Sequence, residues 1–267
     1  MASLLSLLEL ALLFTPLLGA APPRSSYEPP PDPGASPACP GSMRLVRGRH
    51  FDDVEHLCID WKKDIKRCWA YHPGFTIAHG DPTSMRFCMD VYEAPNEQGK
   101  KPLVMRSFPE AARWCADRGK RLCSEHEWET ACESGDERPW LYGWKVDKTA
   151  CNSDKSWRAF DEHKLQGGGE AAQKEVERLW QGAPSGEYTS CRTTHGVHDL
   201  MGNVEEWVTS SRPRKFRGVL MGGFWAKPWT GCRGTNDAHE PTHFRFYEVG
   251  FRCCQDAAAD APKEPTP

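Results

Sequence analysis

Twelve cysteines constrain this 267-residue chain more than any other feature of its sequence. They are spread from Cys39 to Cys254, and their number is even. In an exported protein, this pattern favours disulfide pairing throughout. The alternative is a zinc site built from thiolates, but such sites usually contain cysteine pairs with a short gap of about two residues, and no such pair is present. The sequence therefore predicts a fold held together by many cross-links.

The N-terminus carries an apolar segment that fits export. Residues 4–18 are rich in leucine, and Gly19, Ala20 and Ala21 are small residues suited to a signal-peptide cleavage site. The apolar run is shorter than the roughly 20 residues that span a bilayer. We therefore expect a signal peptide at 1–21, no membrane span after its removal, and a secreted or periplasmic protein.

Proline distribution divides the remaining chain. Residues 22–40 are rich in proline and predict an extended tether, and 255–267 form an Ala/Pro/acidic tail that we expect to be disordered. Between them, 41–254 shows no internal repeat or linker, which predicts a single domain. The net charge of −3 gives no general attraction to a polyanion, so we expect no nucleic-acid partner.

Two capping boxes predict helix starts. Ser107 is followed three positions later by Glu110, and Ser124 is followed by Glu127 at the same spacing. We expect the first helix to end at Gly119 and the second near Gly135, each burying a cysteine.

A third helical pattern covers 170–180, and short apolar runs at 218–225 and 247–253 predict strands. The predicted fold class is α+β, with few helices, small sheets and many long loops.

Four motifs in order resemble the formylglycine-generating enzyme (sulfatase-modifying factor) family, in a divergent, exported form of bacterial type. They are GKRLCSEHEWE at 119–129, DLMGNVEEW at 199–207, GGFW at 222–225 and GFRC at 250–253. The resemblance implies a C-type-lectin-like fold. It also implies that two disulfides of the family fall on Cys115 with Cys253 and on Cys132 with Cys232.

The remaining cysteine pairings rest on weaker arguments. Adjacent cysteines on an extended strand point to opposite faces, so Cys254 needs a partner different from that of Cys253, and Cys123 is the candidate. For the four N-terminal cysteines, we expect sequential pairing of Cys39 with Cys58 and of Cys68 with Cys88.

The resemblance further implies where copper would bind in an active enzyme. Active members hold copper(I) with two cysteines shortly after the Gly-Gly motif, and soft thiolates suit that ion. Here the matching segment, 222–232, contains one cysteine, Cys232, which is already assigned to a disulfide, and Phe224 replaces the usual serine. We therefore expect no copper and no catalytic residues. The family's iron-dependent branch needs a further helical domain that does not fit in this length.

Two other groups of residues are candidates for binding. Trp225 and Trp229 would line an apolar cleft after the Gly-Gly motif. The resemblance implies a calcium site formed by the four residues Asp199, Gly202, Val204 and Glu206, whose oxygen ligands suit this hard ion.

Three further signals carry little weight. The pattern at 239–243 (HEPTH) resembles a zinc-protease helix, but Pro241 obstructs a helix interior. His195 and His198 lie close to Asp199 in the sequence and are candidates for a polar cluster. A short basic run predicts a solvated hairpin tip and consists of Arg212, Arg214, Lys215 and Arg217.

These observations together predict an exported, non-catalytic domain that binds a peptide, a protein or a surface ligand. One alternative is an active formylglycine-generating oxidase with displaced cysteines, for instance Cys151 and Cys191. Another is a structural component of a cell envelope, for which the proline-rich tether is the hint.

Overall fold

A computed structural model describes residues 25–259 of the chain. This part contains ten strands and four helices joined by long loops. The strands are β1 (Met43–His50), β2 (Asp53–Lys62), β3 (Arg67–His79), β4 (Thr83–Asp90), β5 (Arg121–Leu122), β6 (Glu205–Thr209), β7 (Gly218–Met221), β8 (Thr235–Asn236), β9 (Val249–Phe251) and β10 (Cys253–Asp256). The helices are α1 (Phe108–Ala116), α2 (Glu125–Glu133), α3 (Glu162–Gly167) and α4 (Gly169–Leu179). The predicted α+β, lectin-like architecture is confirmed.

The strands form three small sheets. One has the order β1-β4-β10-β5, another has the order β8-β7-β6-β9, and the third is the β2-β3 hairpin. The predicted strand regions at 218–225 and 247–253 are shorter in the structure, where β7 and β9 cover part of each. The predicted signal peptide and residues 260–267 of the tail lie outside the described residues. Gln255 and Asp256 belong to β10 and the Ala258 N–H donates to the Ala38 carbonyl, so the start of the tail is not disordered as predicted.

The two predicted capping boxes lie at helix starts. In α2 the Ser124 hydroxyl accepts from the Glu127 backbone N–H at 3.2 Å, and the Glu127 carboxylate accepts from the Ser124 N–H at 2.8 Å. In α1 the Glu110 carboxylate accepts from the Ser107 N–H at 2.8 Å. Both helices end two or three residues before the predicted glycines, at Ala116 and Glu133. The third helical pattern forms α4, which the short α3 precedes.

Six disulfides pair all twelve cysteines. They are Cys39–Cys88, Cys58–Cys68, Cys115–Cys253, Cys123–Cys254, Cys132–Cys232 and Cys151–Cys191. The set includes the three pairs expected from the resemblance and from the adjacent-cysteine argument. Such cross-linking indicates an oxidising compartment.

The sequential pairing expected for the four N-terminal cysteines is wrong. Strand β4 pairs with β1, which brings Cys88 to the segment that enters β1 and so to Cys39. The β2-β3 hairpin is inserted between these strands, and its own bridge, Cys58–Cys68, crosses it from one strand to the other. The two bridges are therefore nested, because long-range strand pairing rather than sequence order sets the partners.

The core lies between the sheets and the helices. Trp128 and Trp140 are buried in its largest cluster, while Trp207 and Phe251 belong to a second cluster behind α1. No helix within residues 25–259 is long and apolar enough to cross a membrane.

The described part of the proline-rich segment lies against the domain. Arg192 donates a hydrogen bond to the Pro30 carbonyl at 2.7 Å, and Asp32 forms an ion pair with Arg44 at 3.0 Å. Tyr27 packs against the main core cluster. Residues 25–40 contain neither helix nor strand, so these contacts and the Cys39 bridge hold them in place.

The basic run at 212–217 is not simply a solvated hairpin tip, and that prediction is wrong. Arg212 contacts Glu125 at 3.0 Å and Glu129 at 2.8 Å, and Arg214 contacts Glu125 at 2.6 Å. Both glutamates are buried on α2. Buried carboxylates need cationic partners, and these arginines supply them.

Candidate functional site

The Gly-Gly turn after β7 shapes the region that the sequence singled out. Gly222 and Gly223 have φ values of +85° and +66°, which disfavour any other residue. A Cβ on Gly222 would lie 2.4 Å from the Leu200 carbonyl oxygen, and one on Gly223 would lie 2.6 Å from the Thr230 hydroxyl. The turn therefore requires glycine twice, and it directs the following loop, 226–234, across the surface.

This loop forms one wall of a cleft of about 580 Å³. The opposite wall is the β2-β3 hairpin, and the floor comes from the end of α2, from Trp140 and from the start of β6. The cleft is lined by both polar and apolar side chains. They include His56, Tyr71, Glu133, Trp140, Glu205, Lys227, Trp229, Arg233 and Asn236.

The two buried carboxyl groups of the cleft, Glu205 and Glu133, are paired. Lys227 and Asn236 each donate to Glu205 at 3.3 Å, and the Arg233 guanidinium binds both oxygens of Glu133. Burial raises the pKa of Glu205, which Lys227 partly offsets, and burial raises the pKa of Glu133 to about 7. Carboxyl groups paired in this way suit recognition by hydrogen bonding.

The two tryptophans proposed as binding residues have different environments. Trp229 is partly exposed and lines the cleft. Trp225 is 1% exposed and packs against Trp180, with ring centroids 5.0 Å apart, and against Tyr247 at 5.9 Å. Trp225 therefore supports the loop from beneath and does not line the cleft.

The segment that would carry the copper cysteines contains no free thiol. Cys232 is the single cysteine in 222–232, it is fully buried, and it is bonded to Cys132 of α2. Phe224 is also buried, beside Trp225. The residues present therefore do not fit a copper(I) site, which needs free thiolates.

The two carboxylates of the expected calcium site, Asp199 and Glu206, lie in a buried polar network. Both oxygens of Glu206 accept hydrogen bonds from Arg252, at 2.6 to 3.0 Å, and one also accepts from Trp128 Nε1. Asp199 accepts from the Gly186 N–H at 2.6 Å, and burial together with the charge of Glu93 raises its pKa.

A calcium ion fits this arrangement poorly, because a guanidinium already occupies the carboxylate of Glu206. In the same loop, Asp199 and Gly202 have positive φ values, and Val204 is buried. Calcium binding by these residues stays a prediction.

Sequence reasoning missed the hairpin that forms one wall of the cleft. His56 and Tyr71 lie there, with ring centroids 5.4 Å apart, and His56 Nε2 is 2.7 Å from the Glu137 carbonyl oxygen. Side-chain burial alternates along 53–62 in the structure, but charged and apolar residue types alternate only at 53–55 and 59–62, so the sequence carried an incomplete period-two signal.

His195 and His198 do not form a hydrogen-bonded cluster with Asp199. No hydrogen bond reaches His195 Nε2 or His198 Nδ1 within the described residues. The HEPTH segment at 239–243 is not helical, as Pro241 predicted.

Burial of His195 makes stability depend on pH. Burial lowers the pKa of this imidazole from 6.5 to about 4, so the unfolded chain takes up the proton first as the pH falls. Between pH 6.5 and 4, we expect His195 to cost about 2 kcal/mol of stability, allowing for partial exposure. Chemical unfolding across this range should show a flatter pH profile for His195→Gln than for wild type. The exposed His72→Gln should keep the wild-type profile, and an unchanged slope in His195→Gln would contradict the assignment.

The sequence matches a known protein family and two of its named members. Residues 81–257 match the family described as "Sulfatase-modifying factor enzyme 1-like domain". A protein of Mus musculus named "Inactive C-alpha-formylglycine-generating enzyme 2" is 29% identical over 175 residues, which are 63% of this chain and 53% of the mouse protein. The "Formylglycine-generating enzyme" of Mycobacterium tuberculosis is 25% identical over 190 residues, covering 68% and 54% of the two chains. This chain thus spans about half the length of these relatives.

A solved structure supports the fold. The crystal structure of CarF superposes with a TM-score of 0.51 at 13% identity, over 80% of this chain and 97% of CarF. The family match covers the four motifs, the Gly-Gly turn and the loop wall of the cleft. The chain therefore belongs to the sulfatase-modifying factor (formylglycine-generating enzyme) family.

Proposed function

We propose that this chain is a non-catalytic member of its family that uses the cleft to bind a polypeptide. The observation that carries the proposal is the pairing of all twelve cysteines: the segment after the Gly-Gly motif, where the family's copper cysteines would lie, contains only Cys232, which forms the structural bridge to Cys132. A disulfide offers no thiolate to copper(I), so the oxygen chemistry of the active relatives has no metal ligands here.

The alternative, an oxidase with displaced cysteines, finds less support. Cys151 and Cys191 are bonded to each other, and both are at most 1% exposed in the main core cluster. A substrate would have to enter the core, and a reductant would have to open the bridge, before either sulfur could act.

The composition of the cleft favours an extended peptide over a small apolar ligand. Trp229 and Tyr71, both partly exposed, offer aromatic surface, and Glu205 and Arg233 line the same cleft. Aromatic anchors surrounded by hydrogen-bonding groups are typical of polypeptide recognition. Export of the protein is part of this proposal, and the six disulfides and the leucine-rich N-terminus support it.

The binding proposal predicts a large effect for one exposed aromatic side chain. Peptides selected by the wild-type protein from a displayed random library should bind Trp229→Ala at least about ten-fold more weakly, because aromatic anchors dominate binding energies. Titration calorimetry or fluorescence anisotropy measures the change. Trp157→Ala is the matched control, since Trp157 is 59% exposed and does not line the cleft. Failure to select any peptide, or equal affinity for Trp229→Ala, would overturn the proposal.

A further inference from the structure

Three potential metal ligands converge away from the cleft tryptophans. His50 is the last residue of β1, Asp52 lies in the turn to β2, and His126 is in the first turn of α2. One donor atom from each lies within 4.8 Å of the other two. Asp52 Oδ1 is 3.2 Å from His126 Nε2 and 3.7 Å from His50 Nε2.

Three of the four imidazole nitrogens of this group lack a hydrogen-bond partner within residues 25–259. His50 is 1% exposed, yet neither of its ring nitrogens makes a hydrogen bond to any described residue, and His126 Nε2 makes none either. The two rings stack with centroids 4.2 Å apart. Buried polar atoms are nearly always satisfied in native proteins, so unpaired nitrogens side by side point to a ligand that both of them bind.

The spacing of the donor atoms suits a tetrahedral ion. Ligands at about 2.0–2.1 Å from a tetrahedral zinc ion lie about 3.3 Å from each other. The distances of 3.2 and 3.7 Å from the Asp52 oxygen are close to this value.

Two arginines next to the three ligands fix the turn that contains Asp52, and both are paired with glutamates. Arg212 and Arg233 donate to the backbone carbonyl of Asp52 at 3.2 and 3.3 Å, which fixes the turn. Their guanidinium groups are neutralised by Glu129 and Glu133, respectively. Glu129 Oε2 also lies 3.4 Å from His50 Nε2. Because both arginines are paired with glutamates, a bound dication would meet no unpaired positive charge from them and would lie next to the Asp52 carboxylate.

We propose that His50, Asp52 and His126 bind a divalent transition metal ion of the zinc class. Two imidazoles and one carboxylate favour zinc over calcium or magnesium, which prefer oxygen ligands. The Asp52 side chain is 75% exposed, so the fourth position opens to solvent and takes water. None of these three ligands lines the proposed peptide cleft, although Arg233 contacts both the cleft and the Asp52 turn.

The test is a zinc titration of the purified, oxidised full chain. Competition with a chromophoric chelator should show one zinc ion bound per chain, and cobalt substitution should give the absorption of a tetrahedral site. Asp52→Asn and His126→Gln should each weaken zinc binding by at least about 100-fold, since the loss of a ligand costs no less than the loss of a supporting residue.

Matched controls separate this site from surface histidines. Asp53→Asn and His79→Gln alter an exposed carboxylate and an exposed imidazole on the neighbouring hairpin and should bind zinc as wild type does. Near-ultraviolet circular dichroism verifies that each variant is folded. No stoichiometric zinc binding by the wild type, or unchanged affinity in folded Asp52→Asn and His126→Gln, would overturn the proposal.

Discussion

Removing the Cys115–Cys253 and Cys123–Cys254 bridges together should destabilise the protein by about 7–8 kcal/mol, whereas removing either one should cost about 3 kcal/mol. The two bridges close nearly the same loop, with sequence separations of 138 and 131 residues. While one bridge remains, the unfolded chain is still closed into the large loop. The second bridge then closes only a small additional ring. This ring is small because Cys115 and Cys123 are eight positions apart and Cys253 and Cys254 are adjacent.

Urea unfolding of paired Cys→Ala variants, without reductant, measures these energies. The Cys58/Cys68 double variant is the matched control, because its bridge has a sequence separation of 10 and should also cost about 3 kcal/mol. The fourfold variant should be unfolded or barely stable, since domains have only about 5–15 kcal/mol in total. An isolated loop of this length would be worth about 5 kcal/mol. If removal of one long-range bridge lowers stability by that amount, the remaining bridge does not restrict the same loop, and the explanation is contradicted.

Replacing Arg252 by methionine should destabilise the protein by about 3–5 kcal/mol, because it leaves a buried charge without its partner. Arg252 is fully buried. Its guanidinium binds both oxygens of Glu206 and donates to the backbone carbonyls of His198, Asp90 and Val91. Without it, Glu206 keeps only the Trp128 N–H as a hydrogen-bond donor among the described contacts and lies near the buried Glu93.

The double variant Arg252→Met/Glu206→Gln tests this cause. Glutamine keeps an acceptor for Trp128 and removes the charge, so the double variant should be more stable than Arg252→Met alone by more than about 1 kcal/mol. Lys174→Met removes an exposed ion pair with Glu170 and should change stability by less than about 0.5 kcal/mol. Thermal and urea unfolding compare the four proteins. Equal stability of the single and double variants would contradict a charge-based cause.

Much of the fold could be predicted because several signals are local. The capping boxes at Ser107 and Ser124 predicted where α1 and α2 begin, and the adjacent cysteines predicted separate partners for Cys253 and Cys254. A capping box needs only residues three positions apart, and side-chain direction on a strand needs only the backbone. The family motifs then gave the fold class.

The failures share a cause in long-range pairing. The partners of Cys39 and Cys68 depend on β1 pairing with β4 across the inserted β2-β3 hairpin, which no local pattern reveals. The roles of Arg212 and Arg214 depend on carboxylates of α2 more than 80 residues away in the chain. The partial exposure of Trp229 and the burial of Trp225 likewise depend on how the loop after the Gly-Gly turn folds back over the core.

The most direct test of the central claim is an assay for cysteine oxidation. The oxidised full chain, supplied with copper(I), is incubated in air with a peptide containing Cys-x-Pro-x-Arg, and the peptide is analysed by mass spectrometry. Intact mass after alkylation without reductant counts the free thiols of the same sample. If the protein is non-catalytic and every cysteine is in a disulfide, no free thiol and no formylglycine should be found. Formylglycine formation above the copper-only control would contradict the account.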